Sequence, residues 1–119
     1  MIELIIAQDR EGGRHGFVAK GHANYACREE DDIICAAVTA LAAQAIGAVQ
    51  DLTDVAMTYW TEPGDIGLRL TERKTESAAE LEKVDLLLAA LEIGCRQIEL
   101  SYNTDAAKYV EVRVEESAT

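Results

Sequence analysis

The chain has 119 residues, enough for one compact unit and too few for two independently folded cores. Hydrophobic residues make up 49% of it but include only one Trp and one Phe, so the core must be built mainly from Ala, Leu, Ile and Val. Its 11 basic and 22 acidic residues give a formal net charge of -11, which argues against direct nucleic-acid binding and favours a basic protein partner.

Residues 2–8 are apolar and β-branched, Asp9-Arg10-Glu11-Gly12-Gly13 supplies turn residues, and Gly16 to His22 forms a second extended run, which together predict a β-hairpin. The N-terminal run has no basic flank or cleavage-site pattern, so it reads as a strand and not as a signal peptide. From Asn24 to Asp31 the chain is polar and aperiodic, as an exposed loop would be. With its several carboxylates, the segment from Ala23 to Asp31 is expected to be mobile until a peptide binds.

Asp32 stands directly before Ile33-Ile34-Cys35-Ala36-Ala37-Val38, where its side chain can cap a helix N-terminus. The helix predicted from Ile33 to Gln50 is apolar on nearly every face. Its uncharged stretch, Ile33 to Val49, falls short of the ~20 apolar residues of a membrane span, so it is expected to be a buried helix, not a membrane segment. All-round apolarity asks for a second covering surface, and a homodimer is the expected source. A second hairpin follows, with Val55 to Trp60 and Ile66 to Leu70 flanking the turn-forming Glu62-Pro63-Gly64-Asp65.

Glu72 to Glu76 reads as a solvated linker, and Ser77-Ala78-Ala79-Glu80 has the form of a capping box opening a second helix. Leu81, Val84, Leu88, Leu91, Cys95, Ile98 and Tyr102 then mark one helical face. Asn103-Thr104-Asp105 ends that helix, and Tyr109 to Val114 alternates as a half-buried strand. The element order ββαββαβ predicts an α+β fold over residues 1–119, with a mainly antiparallel sheet covered by two helices.

Three cysteines, Cys27, Cys35 and Cys95, are too few for the disulfide framework of a secreted domain and fit a reducing cytoplasm. Cys35 falls at about the third position of the first helix, where unpaired N–H groups and the helix dipole favour an anionic sulfur. His22, at the end of a predicted strand, can reach it if the intervening loop folds back. Such an imidazole takes the thiol proton and later returns it to a leaving amine. On spacing alone, Cys35 is equally well a small buried hydrophobe and His22 a hydrogen-bonded strand-end residue. A zinc set of His15, His22, Cys27 and Cys35 lacks the usual ligand spacings.

Read as one segment, Gly21-His22-Ala23, the polar loop and Asp32-Ile33-Ile34-Cys35-Ala36-Ala37-Val38-Thr39-Ala40 closely resemble the signature of Prp, the ribosomal-processing cysteine proteases. The resemblance extends to the Leu-rich helix with Gly94 and the closing strand with Tyr109-Val110. It implies two helices on a sheet, a homodimer, and a cysteine endopeptidase without cofactor or metal, with Cys35 and His22 as the catalytic dyad. The implied substrate is an N-terminal extension on large-subunit ribosomal protein twenty-seven. A phage-encoded relative acting on phage structural proteins is one alternative, and a non-catalytic module that holds a basic protein is another. Glu29-Glu30-Asp31 in the loop, and Thr39 where serine is frequent, depart from the family pattern and bear on substrate choice. Asp32 reads as an N-cap ahead of a role in orienting His22. Tyr59 and Trp60 fit either core or cleft wall.

Overall fold

The computed structural model describes residues 1–24 and 32–116. Most of the loop expected to be mobile, residues 25–31 with Cys27, lies outside the described residues. The elements follow the predicted order: strands β1 (Ile2–Gln8) and β2 (Arg14–Lys20), helix α1 (Ile33–Leu52), strands β3 (Met57–Glu62) and β4 (Asp65–Leu70), helix α2 (Ala78–Tyr102) and strand β5 (Val110–Glu116). They form an α+β fold with a five-stranded sheet in the order β3-β4-β2-β1-β5.

Alternation in the strands decides which side chains meet the helices, because successive residues point to opposite faces. Leu4, Ile6, Phe17, Ala19, Leu68, Val110 and Val112 form one buried set. They share a core with Ile34, Val38, Ala42, Ile46 and Val49 of α1 and with Val84, Leu88, Leu91 and Cys95 of α2. Each large aliphatic side chain buried in this way contributes roughly 1.5–3 kcal/mol. Ala19, Ala42 and Ala45 replace bulk with close approach, which is how a chain poor in aromatics fills its interior.

Both hairpins form as expected, but the fifth strand is not antiparallel. β5 lies parallel to β1, with Ile2 opposite Val110 and Ile6 opposite Val114. β4 runs in the same direction as β1, and α2, which joins β4 to β5, returns the chain to the end of the sheet from which β1 starts, so β5 runs parallel to both. Asn103, the C-cap of α2, sets the entry to β5. Its amide oxygen accepts from the N–H groups of Tyr109 and Val110 at 2.9 and 3.2 Å, and its Nδ2 donates to the Val110 carbonyl at 2.7 Å.

Several boundaries shift. β2 ends at Lys20, so His22 lies beyond the strand, and β3 begins at Met57 where the pattern suggests Val55. α1 runs 20 residues to Leu52; by length and composition alone it would be apolar enough to cross a membrane, but one of its faces forms the floor of this core. The alternate face is not covered in the described structure: Ala36, Ala40, Ala43 and Gln44 are exposed. The linker expected to be solvated holds a 3-10 turn, Arg73–Thr75. The capping box forms by half. Ser77 accepts from the Glu80 N–H at 3.2 Å, while the Glu80 carboxylate turns to the Asp54 N–H and to Lys83.

One ion-pair group ties the first hairpin to α2. Arg14 meets Asp85 and Glu92 at 3.0 Å each, and Arg96 also reaches Glu92 at 3.0 Å. Burial opposes ionisation of Glu92, but the hydrogen bonds from Arg14 and Arg96 outweigh it and hold the carboxyl below its ordinary range.

Candidate functional site

The site is built where the end of β2, the start of α1 and the β3–β4 turn converge. After Lys20 the chain turns at Gly21, whose φ of +98° lies in the left-handed region that favours glycine. A side chain there would run into the Met1 carbonyl oxygen. The Gly21 N–H donates to the Gly64 carbonyl at 2.9 Å, which ties this corner to the turn between β3 and β4. His22 comes next and is exposed, while Ala23, only 2% exposed, anchors the chain back into the core. The sequence Gly-His-Ala thus has a mechanical logic in which one residue bends, one projects and one anchors.

The imidazole of His22 packs against Gly64, itself at φ +73°. A Cβ on Gly64 would come within 2.9 Å of His22 Nε2, so this glycine leaves the space the ring occupies. In the sequence, Glu62-Pro63-Gly64-Asp65 reads only as a turn. Its role as a wall for His22 has no signal there beyond the glycine itself.

From the other side comes Cys35, at the third position of α1. Asp32 is the N-cap: its Oδ1 accepts from the N–H groups of Ile34 and Cys35, both at 3.0 Å. Such a cap stabilises a helix by about 1 kcal/mol. It also changes the expectation for the helix end, because the N–H groups expected to face the sulfur are already taken by a carboxylate. What meets the sulfur instead is the backbone of the His22 segment. The Ala23 N–H donates to Cys35 Sγ at 3.2 Å.

His22 and Cys35 therefore line one cleft of about 390 Å³, together with Thr39, Glu62, Gly64 and Asp65. Thr39 is exposed along its wall one turn after Cys35. The remaining candidates separate. Cys95 is fully buried in α2, and burial, with help from the Glu99 carboxylate, pushes its thiol up to about 11. His15 lines a different cleft from His22 and Cys35, so the zinc set is not assembled among the described residues, and its fourth member, Cys27, lies outside them. Trp60 belongs to neither the core nor the Cys35 cleft. Its ring lies over Gly67, and its Nε1 donates to Asp65 at 2.7 Å.

A family model described as cysteine protease Prp matches residues 1–107. No curated protein matches the chain. Among solved structures, it is similar to the essential ribosomal processing protease Prp of Staphylococcus aureus with a covalently linked product peptide. That match has 20% identity and a TM-score of 0.77, covering 97% of this chain and 100% of the other. The same protease with a substrate peptide matches at 20% identity and a TM-score of 0.70, covering 98% and 100%. A Streptococcus mutans protein matches at 23% identity and a TM-score of 0.67, covering 98% and 99%.

Proposed function

This chain belongs to the Prp family of cysteine proteases, and from that premise we propose that it removes the N-terminal extension of a basic ribosomal protein, using Cys35 and His22. It is a cysteine peptidase by family. The observation that carries the assignment of residues is the shared cleft, which is lined by Cys35 from the first turn of α1 and by His22 from the segment after β2. His22 takes the thiol proton, the sulfur electron pair adds to the scissile carbonyl carbon, and the proton then passes to the departing amine. Water hydrolyses the resulting thioester with the same imidazole as base. The Ala23 N–H, already directed at Sγ, is a donor positioned beside the reacting atoms.

The proposed substrate is large-subunit ribosomal protein twenty-seven. Support comes from the ribosomal processing protease of Staphylococcus aureus, whose fold this chain shares, and from charge. Glu62 and Asp65 line the cleft of a chain with net charge -11, which suits a basic substrate. The reading includes a cytoplasmic location and a homodimer. For the dimer the stronger support lies on α2 and not on α1, because Leu86, Ile93 and Leu100 are 70%, 61% and 78% exposed at seven-residue spacing. Sedimentation at micromolar concentration should give about twice the chain mass. A monomer would remove the dimer from the proposal.

The decisive experiment incubates the purified protein with the precursor of that ribosomal protein from the same genome and reads the N-terminus by mass spectrometry. One defined cut is expected, with His22→Ala slowed by at least about a hundredfold. Cutting of a phage structural protein alone would move the substrate to the phage class. Tight binding of the precursor without any cut would favour the non-catalytic module.

A further inference from the structure

The second large cleft lies on the sheet face that carries no helix, and its chemistry differs from that of the Cys35 cleft. It encloses about 700 Å³, with Ile5, Val18 and Trp60 along it. Asp65 is the one residue that lines both clefts among the described residues. The Lys and Arg side chains of the described chain divide into two groups. Arg10, Arg14, Lys83, Arg96 and Arg113 each meet a carboxylate. Lys20, Arg69, Arg73, Lys74 and Lys108 meet none among the described residues, and the first four of these line this one cleft together with His15.

That gathering runs against composition, because a chain with 22 acidic and 11 basic residues has carboxylates to spare. Asp65, Glu72 and Glu115 also line the cleft, but among the described residues none of them pairs with its cations: Asp65 accepts from Trp60 Nε1 and Glu115 pairs with Arg113. A second, independent observation concerns the interior of the cluster. Arg73 Nη1 and His15 Nε2 are buried and have no hydrogen-bond partner among the described residues. A buried polar atom left unsatisfied costs about 1–3 kcal/mol, and such atoms call for an explanation. Burial and the nearby Arg73 charge also hold the His15 imidazole below its ordinary range, so His15 offers a neutral hydrogen-bonding group and not another cation.

We propose that this cleft is an anion site for a multiply charged phosphate-class oxyanion, with Arg73 and His15 as its inner groups and Lys20, Arg69 and Lys74 as its exposed cations. Guanidinium groups pair with tetrahedral oxyanions through two parallel N–H···O bonds, and several free cations call for more than one negative charge. A single carboxylate would leave most of them unmatched. The site is independent of the peptidase assignment, since neither Cys35 nor His22 lines it.

The test is an amide-resolved NMR titration of the full chain with pyrophosphate at fixed pH and ionic strength, with citrate and chloride as parallel arms. Saturable shifts are expected at residues 69–74 and at His15, unchanged in Cys35→Ala. Arg73→Gln should weaken binding by at least about tenfold, Arg73→Lys should retain part of it, and Lys108→Gln should leave it unaltered. If Arg73→Gln does not fold, Arg69→Gln with Lys74→Gln, both at exposed positions, must weaken binding instead. Shifts that chloride reproduces, or that never saturate, would overturn the site. Citrate binding as tightly as pyrophosphate would overturn the phosphate class.

Discussion

Cys35 and Cys95 both sit on long helices and both pack on the same core, yet the surroundings give them opposite properties. Cys35 lies in the first turn of α1, at a cleft, with a backbone N–H directed at its sulfur. Cys95 lies deep in α2, at 0% exposure, with its thiol pushed up to about 11. A cysteine's chemistry is thus decided by where on the helix it falls and what the neighbouring chain segment brings to it, not by the helix itself.

Removing each sulfur in turn puts this contrast to its strongest test. Cys35→Ala should abolish cleavage while leaving the circular dichroism spectrum unchanged, because a methyl group cannot attack a carbonyl and the site already adjoins alanines. Cys95→Ala should cut at near the parent rate. Comparable cutting by Cys35→Ala would end the nucleophile assignment.

A smaller but still large effect is expected at Gly64, which belongs with Cys35 through its contact with His22. Gly64→Ala introduces a side chain at φ +73° that would stand 2.9 Å from His22 Nε2. The ring must move or the turn must relax, so activity should fall by roughly tenfold or more, since small misplacements of a catalytic group are costly. The accompanying stability loss should be about 1 kcal/mol. Unchanged kcat/KM would show that the imidazole does not work from this position.

The smallest effect belongs to the interior. Cys95→Ala should lose about 1 kcal/mol at neutral pH, the common size for a single buried change. Its pH dependence carries more information. Because the folded thiol is raised to about 11 from an ordinary 9.0, the unfolded state ionises first. The stabilising contribution is therefore complete below about pH 9 and declines as the pH rises towards 11. Urea melts across that range should show the parent protein losing stability faster than Cys95→Ala. Parallel curves would contradict the burial of this thiol.

Much of this contrast is legible in the sequence through local rules. Asp32 as a cap, Ser77 as a cap and the apolar face from Val84 to Cys95 depend on residues close along the chain, and they appear as expected. The element order follows from the same rules. What is not legible depends on partners distant in sequence. The turn at Gly64 reads as a turn, but that it cradles His22 depends on β4 pairing with β2, which local patterning does not specify. Local pattern cannot place Trp60, because its half-buried position depends on Gly67 across the hairpin. Arg73 hides in a charged stretch that looks fully solvated, although one of its nitrogens is buried. The parallel setting of β5 escapes the pattern because alternation reports a half-buried strand and not its direction.

The parallel pairing of β5 with β1 also bears on how the chain reaches this state. Ile2 must find Val110, whereas the β1–β2 and β3–β4 hairpins join near neighbours. Closing so long a loop costs entropy before any contact returns it, which places this pairing late on the route to the native fold. Until then β1 has one open edge beside the centre of the future sheet. Val112→Ala should accordingly leave the refolding rate nearly unchanged and speed unfolding, while Phe17→Leu in β2 should slow refolding. Equal effects on both refolding rates in stopped-flow measurements would mean that the distant strand joins early.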